Sequence, residues 1–320
     1  MQTMPAPGSP RLPWESVPAD IRAIVDERLG GSPVVRAVSQ DGGFSPGAAA
    51  RLWCADGTTA FAKAVSLGQN TGTPLLHRTE ARIAAQLLAS APVPRFRFAH
   101  DDGDWVVLVF DASPGRLPPL PWTFQAATRV ASAVRRLSAQ LTPCPVADVR
   151  SAGTLLADDL TTWTRLADDP PGDLDPWELR NLGRLSEVGE RLLGPGSGLH
   201  GDTLLHLDLR ADNILLEPSG RVIFVDWPWA CRGAAWIDLV LFALDPMVYG
   251  GIDPQGLVDA GGGLGGGEPA AVTGLLLGLA GMWALASRQP MPPGMPTLRA
   301  HQRRFHDAAL AWGRRRAGWD

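Results

Sequence analysis

The spacing of apolar and polar residues changes once along this 320-residue chain, near residue 111. Before residue 112, short apolar runs alternate with Gly, Pro and Asp turns, a spacing typical of strands joined by hairpins. The predicted elements are a helix at 19–29, strands at 34–39, 48–55 and 58–65, a helix at 76–89, and strands at 95–99 and 105–110. We therefore expect a small antiparallel sheet with one helix packed on it.

Beyond residue 111 the apolar positions recur at helical spacing. The predicted helices cover residues 123–141, 152–167, 176–193, 235–243, 269–287 and 298–316, with two short apolar runs at 214–217 and 222–225. The pattern predicts an α+β chain of two lobes. Residues 1–111 form the N-terminal lobe, with 1–18 loosely ordered, and residues 112–320 form the larger, mainly helical C-terminal lobe.

Composition narrows the possible partners. The chain carries 29 basic and 33 acidic residues, so no overall positive charge draws it to nucleic acid or to anionic lipid. Its three cysteines are far apart, which disfavours a disulfide framework or a zinc site. The first fifteen residues lack the basic start and the apolar run of a signal peptide, and the longest apolar stretch, 271–286, is shorter than the ~20 residues of a membrane span. We expect a cytoplasmic protein with no nucleic-acid or membrane partner.

Lysine usage is unusual, because Lys63 is the single lysine among the 29 basic residues and all others are arginine. A genomic base-composition bias explains the arginines. It leaves two interpretations of Lys63: a residue that escaped the bias, or one whose compact ammonium group performs a task that a planar guanidinium cannot.

The strongest chemical signal is the segment from His206 to Asn213, which has the spacing His-x-Asp208-x4-Asn. Asp226 follows thirteen residues after Asn213, directly behind the second short apolar run. Asp208 is suited to accept a proton, while an amide and a carboxylate oxygen suit Mg²⁺ when a nucleotide supplies further oxygens. Chance alone seldom produces this spacing from so few His and Asn residues.

This segment resembles the catalytic loop and the metal-binding aspartate of the aminoglycoside phosphotransferase family, which has a protein-kinase-like fold. The N-terminal half agrees, because a glycine loop at 42–47 precedes Lys63 on a predicted strand and Glu80 on a predicted helix. The resemblance implies that Asp208 is the catalytic base and that Arg210 steadies the transferring phosphoryl group. It also implies Mg²⁺ ligands at Asn213 and Asp226.

The resemblance further implies a nucleotide site for ATP or GTP. Lys63 holds the phosphates and Glu80 orients the lysine. Backbone groups cover the phosphates and face the purine at the residues Gly42, Gly43, Phe44, Ser45, Phe110 and Ala112.

Two departures from related patterns limit the function. Leu207 occupies a position where the family usually has glycine. Asp226 is followed by Trp-Pro rather than by the Phe-Gly of protein kinases, and no Ala-Pro-Glu segment follows. A regulated protein kinase is therefore disfavoured.

The expected activity is transfer of the γ-phosphoryl group to a hydroxyl of a small molecule, such as an aminoglycoside or another antibiotic. The alternatives are a nucleotide-binding pseudokinase and a kinase of a metabolite such as choline or homoserine. Seven acidic residues between Asp158 and Glu178 would attract a cationic acceptor. A solvated face with helix caps such as Asp175 explains them equally well. The sequence leaves open a role for His200-Gly201-Asp202, and whether the protein is a monomer or a homodimer.

Overall fold

The N-terminal half of the protein is built on an antiparallel sheet. The computed structural model describes residues 11–40, 46–194, 196–292 and 295–319. Within them the sheet has five strands in the order β1-β2-β3-β5-β4. The strands are β1 (Val34–Ser39), β2 (Ala48–Cys54), β3 (Thr59–Ser66), β4 (Phe96–Asp101) and β5 (Trp105–Asp111). The predicted mixed fold with an antiparallel sheet is confirmed. The sheet ends at Asp111, and a domain boundary there remains a prediction.

The two faces of the sheet are covered by different segments. Helix α1 (Ala19–Arg28) and the chain before it pack on one face, where Trp14 and Val17 are buried. The expectation that residues 1–18 are loosely held is therefore wrong for residues 14–17, because the side chains of Trp14 and Val17 join the core on this face of the sheet. Helix α2 (Thr73–Ala84) packs on the opposite face against β5.

Helices dominate the C-terminal half. They are α3 (Phe124–Gln140), α4 (Ala152–Leu155), α5 (Ala157–Leu160), α6 (Thr162–Asp168), α7 (Pro176–Leu193), α8 (Ile237–Gly250), α9 (Pro254–Ala260), α10 (Pro269–Ser287) and α11 (Leu298–Ala317). Two small two-stranded sheets lie among these helices. In one, β6 (Thr203–Leu205) pairs with β9 (Cys231–Gly233); in the other, β7 (Ile214–Leu216) pairs with β8 (Val222–Phe224). A large apolar core runs through these elements.

The helical prediction for the C-terminal half was wrong in three places, one of which is the end of α8, at Gly250 rather than at 243. The predicted helix 152–167 is divided into α4, α5 and α6, with breaks at Leu156 and Thr161. Thr161 and Thr162 donate hydrogen bonds to carbonyls one turn earlier, which competes with regular helix geometry. The short helix α9 was not predicted; Asp253 caps it and Pro254 occupies its first turn.

Helix α10 is a core helix that passes a membrane-span test by length and composition. It has 19 residues, and 61% of its most apolar window is buried inside the protein. Its glycines allow close packing: a Cβ added to Gly278 would lie 2.6 Å from Leu160, and one added to Gly281 would lie 2.6 Å from Trp163. The apolar surface is thus used for packing against α11, α7, α6 and α5.

Candidate active site

Lys63 lies on β3 between two neighbouring strands, opposite Ala49 of β2 and Leu108 of β5. Its Nζ donates to both carboxylate oxygens of Glu80 on α2, at 2.9 and 2.8 Å, and to Oδ1 of Asp226 at 2.6 Å. Glu80 is 2% exposed. The expected pairing of Lys63 with Glu80 is therefore present, and the structure adds Asp226 as a second partner.

Two carboxylates share this one ammonium group, and their environments separate them. Burial raises the pKa of Glu80, against the opposing pull of Lys63 and its hydrogen bonds. Burial also acts on Asp226, but the Lys63 ammonium outweighs it and lowers the pKa of that carboxyl group. Asp226 is consequently the more firmly ionised of the two, as a cation ligand must be.

The catalytic loop begins where β6 ends and is held by Asp238, the second residue of α8. Its Oδ2 accepts the backbone N–H of His206 at 2.8 Å, and its Oδ1 accepts that of Leu207 at 2.9 Å. Leu207 has a left-handed backbone, with φ of 66°, which explains why glycine suits this position in the family. Asp238 is 1% exposed, so its carboxylate braces the loop from within the core.

Removal of the Asp238 carboxylate should destabilise the fold. In Asp238→Ala the buried N–H of His206 and the half-buried N–H of Leu207 lose their acceptor, at about 1–3 kcal/mol for a buried group and less for the second, so we expect the free energy of unfolding to fall by about 2–4 kcal/mol. Asp238→Asn keeps one acceptor oxygen and should lose less. Urea unfolding measures both, with Asp307→Ala on the exposed face of α11 as the control. Equal stabilities of Asp238→Ala and that control would contradict the bracing role.

His206 connects the catalytic loop to the segment that carries Asp226. Its Nε2 lies 2.8 Å from the carbonyl of Val225, and its Nδ1 lies 3.3 Å from the Asp208 backbone N–H. These partners require the tautomer with the proton on Nε2. Burial lowers the pKa of this imidazole, which stays neutral and acts as a hydrogen-bonding strut.

Asp208 is positioned by Asn213. The Asn213 Nδ2 donates to the Asp208 carbonyl at 2.8 Å and to its Oδ2 at 3.0 Å. Burial, helped by Asp212 and Asp226, raises the pKa of Asp208 to about 6, although Arg210 and Asn213 oppose the shift. A carboxylate with a pKa in this range is a stronger base than an ordinary aspartate and is still ionised at neutral pH.

Arg210 is held within the loop itself. Its Nε and Nη2 donate to the two carboxylate oxygens of Asp212 at 3.1 and 3.0 Å, and Nε lies 3.5 Å from Asp208 Oδ1. Burial disfavours the charge, but Asp208 and Asp212 more than compensate and raise the pKa of Arg210. The guanidinium is therefore a fixed cation beside Asp208. Its contact with a phosphoryl group stays a prediction.

Sequence reasoning missed Asp245 on α8. Its Oδ1 accepts Trp122 Nε1–H at 2.7 Å and the backbone N–H of Ala211 at 3.2 Å, so it connects α8 to the loop that carries Asp208. Burial raises its pKa to about 7. The available signal was an aspartate before Pro246 in a helix whose other charged residue is Asp238, near its start.

The raised pKa of Asp245 predicts a stability change with pH. Below about pH 4 the Asp245 carboxyl group is protonated in both the folded and the unfolded protein. Between about pH 4 and 7 only the folded protein keeps this proton, so the free energy of unfolding falls as pH rises. Asp245→Asn retains the acceptor oxygen without the charge. We expect it to exceed the wild type at pH 8 by up to about 4 kcal/mol and to match it near pH 4. Exposed Asp169→Asn is the control; the same difference at both pH values would refute the assignment.

Lys63, Glu80, Asn213 and Asp226 border one cavity of about 380 Å³ between the sheet and the helical half, and Asp208 is joined to it by its hydrogen bond with Asn213. Lys63, Glu80 and Asp226 line one part of it, and Phe110 and Ala112, the residues predicted to face the purine, line another. The predicted loop residues Gly42, Gly43, Phe44 and Ser45 lie outside the described residues. Gln40 and Pro46, on either side of them, both line the cavity.

The chemistry of Asn213 and Asp226 fits a magnesium ion. Because Nδ2 of Asn213 is committed to Asp208, its Oδ1 is left as a ligand oxygen, and Asp226 supplies an ionised carboxylate. The described part of the chain holds no group of three or more His, Cys, Asp or Glu arranged for a metal. A two-residue set of this kind suits a cation whose other ligands are phosphate oxygens and water.

Some of the acidic residues between 158 and 178 contact basic side chains of the protein itself. Asp173 pairs with Arg288 at 2.8 Å and Asp175 lies 3.6 Å from Arg314. Glu178 completes the capping box of α7 and lies 3.4 Å from His306. These contacts attach α10 and α11 to the start of α7, which gives the basic C-terminal helix a structural role.

The fold and the site define a protein of the kinase-like phosphotransferase class. The model of the phosphotransferase enzyme family, APH, matches residues 49–275. The chain belongs to this family and is a phosphotransferase. No curated protein sequence matches it.

Solved structures with the same fold share little sequence with it. Choline kinase LicA from Streptococcus pneumoniae is 12% identical at a TM-score of 0.62, covering 92% of this chain and 100% of that one. Spectinomycin phosphotransferase APH(9)-Ia, in complex with ADP and spectinomycin, is 11% identical at 0.60, covering 92% and 98%. An aminoglycoside phosphotransferase from Alicyclobacillus acidocaldarius is 16% identical at 0.55, covering 88% and 92%.

Proposed function

We propose that this protein transfers the γ-phosphoryl group of ATP or GTP to a hydroxyl group of a small molecule. The observation that carries the proposal is that a paired lysine and two candidate cation ligands line one cavity, with the candidate base hydrogen-bonded to one of those ligands, Asn213. A chain that had lost catalysis would be free to lose any of these groups. Their joint presence therefore favours an enzyme over a nucleotide-binding pseudokinase.

In this mechanism Asp208 orients the acceptor hydroxyl and takes its proton as the oxygen attacks the γ-phosphorus, and the bond from that phosphorus to the β–γ bridging oxygen breaks to release the nucleoside diphosphate. Asn213 keeps the carboxylate in place through its Nδ2, and the backbone of the loop is held by Asp238. The base needs only one free oxygen lone pair toward the substrate.

Charge on the phosphates is balanced by fixed cations. Lys63, oriented by Glu80, holds the nucleotide phosphates, and Arg210 faces the transferring group from the catalytic loop. Asn213 and Asp226 would hold Mg²⁺, which would neutralise charge on the phosphate oxygens. Phe110 and Ala112 present backbone groups to the purine.

The segment after Asp226 supports a small acceptor rather than a protein. Only residues 227–236 separate it from α8, and part of that length forms β9, paired with β6. So short and fixed a connection leaves no long segment on which a peptide substrate could dock. Antibiotics and amino alcohols of the choline type are the first candidates, because they are the substrates named in the related structures. The pairing of Asp173, Asp175 and Glu178 weakens the case for a polycationic acceptor.

The test is release of nucleoside diphosphate from Mg·ATP or Mg·GTP in the presence of single acceptors. Aminoglycosides, macrolides, spectinomycin, nucleoside and peptide antibiotics, choline and homoserine form the panel, with Asp208→Asn as the blank. Stimulation by one acceptor class, absent from the blank, supports the proposal and names the substrate. Tight nucleotide binding without stimulation by any acceptor favours the pseudokinase. A cytoplasmic location and a monomeric or homodimeric state remain predictions.

A further inference from the structure

The chain before the sheet reaches into the nucleotide cavity. Arg11 lines the cavity together with Lys63 and Asp226. The segment that carries it is fixed at two points: Leu12 N–H donates to the Gly47 carbonyl at 3.1 Å, and Trp14 is buried beneath the sheet. Gly47 closes the loop that begins at residue 40, so this segment crosses the end of that loop.

The surroundings of His77 place Arg11 near the phosphate part of the cavity. His77 lies one turn before Glu80 on α2, lines the same cavity and is 7% exposed. Burial, Lys63 and Arg11 lower the pKa of His77 to about 3, while Asp226 opposes them. The chain geometry agrees, because Leu12 is hydrogen-bonded to Gly47 at the start of β2, where Ala48 pairs with Ala64, the neighbour of Lys63.

Two other basic side chains of the cavity, Lys63 and Arg51, already have hydrogen-bond partners within the protein. Lys63 is shared by two carboxylates, and Arg51 donates to the Ser113 carbonyl beyond the end of β5. His77 is neutral at physiological pH, and within the described residues its Nδ1 has no hydrogen-bond partner. An arginine in this part of the cavity can donate to two phosphate oxygens at once.

We propose that Arg11 is a phosphate-binding residue, which contacts the β- or γ-phosphate of the bound nucleotide. This inference rests on the proposed kinase function. It is separate from the family pattern, because the family match begins at residue 49 and the segment that carries Arg11 lies before it. The N-terminal segment then forms part of the nucleotide site instead of a passive extension.

The experiment compares the affinities of wild type and Arg11→Gln for Mg·ATP, Mg·ADP and adenosine by isothermal titration calorimetry. Loss of a charge-assisted contact should weaken Mg·ATP binding at least about tenfold. Adenosine, which has no phosphate, should bind both proteins equally. Arg11→Lys keeps the charge and should recover part of the affinity. Arg36→Gln, an exposed arginine of β1 outside the cavity, removes the same charge and should bind as the wild type does.

Two results would overturn the role of Arg11 alone. One is Mg·ATP affinity in Arg11→Gln within about twofold of wild type, well below the loss expected for a charged contact. The other is an equal loss for adenosine and Mg·ATP, which would show a change in the cavity as a whole. If the wild-type protein binds neither Mg·ATP nor Mg·GTP, the proposed function fails and the Arg11 contact fails with it.

Discussion

Asp208→Asn should lower kcat by at least about 10²-fold and leave Mg·ATP affinity nearly unchanged, because general-base help in a positioned site contributes about 10²–10⁴. The asparagine side chain has nearly the same shape, and its amide oxygen can accept the hydrogen bond that Asn213 Nδ2 now donates to Asp208 Oδ2 at 3.0 Å. The loop should keep its geometry while the proton acceptor is lost. Steady-state kinetics with the identified acceptor, and calorimetry for the nucleotide, measure the two quantities separately.

The matched control is Asp202→Asn. Asp202 also follows a histidine by two positions, but it is 58% exposed and lies 3.6 Å from Arg232 at the surface. We expect this variant to turn over at the wild-type rate. Wild-type turnover by Asp208→Asn would show that another group accepts the proton, and a large loss in Asp202→Asn would show that His200-Gly201-Asp202 touches the substrate.

Asp226→Asn should abolish the increase in nucleotide affinity that Mg²⁺ produces and lower kcat by at least about 10²-fold, because an amide is a much weaker ligand than a carboxylate. Asparagine is the better test than alanine at this position. Asp226 has a left-handed backbone, with φ of 70°, which asparagine tolerates and alanine adopts at a greater energetic cost. ATP titrations with and without Mg²⁺ measure the effect directly.

Asp111→Asn is the control for this experiment. Asp111 also lines the cavity, but at the end of β5, where it pairs with Arg97 at 2.6 Å. It should retain the Mg²⁺ dependence of nucleotide binding. An unchanged Mg²⁺ dependence in Asp226→Asn would remove Asp226 from the set of metal ligands.

Much of the candidate site follows from local sequence. The residues from His206 to Asn213 belong to one short loop, so the relative positions of their side chains are nearly fixed once that loop forms. Lys63 and Glu80 required a second element, but a strand lysine followed by a packed helix leaves few alternatives. The pair is found at hydrogen-bond distance.

Other features depend on contacts that local sequence does not encode. The roles of Asp245 and Arg11 depend on segments distant in sequence. Apolar periodicity reports which face of a helix is buried but not which neighbour covers it. Burial also sets the pKa of Asp208 and Asp245, and burial is a property of the assembled core.

The sequence by itself determined the antiparallel sheet and the helical second half, and it predicted Asp208 as the base, Asn213 and Asp226 as cation ligands, and Lys63 as the lysine that holds the phosphates. These features are encoded by spacings within single elements or by a residue type that occurs once. Only the tertiary structure decided that Asp226 shares Lys63 with Glu80, that Asp238 and Asp245 hold the loop, and that the N-terminal segment brings Arg11 to the cavity. Each of these contacts joins residues far apart in the chain, and packing of the core brings them together.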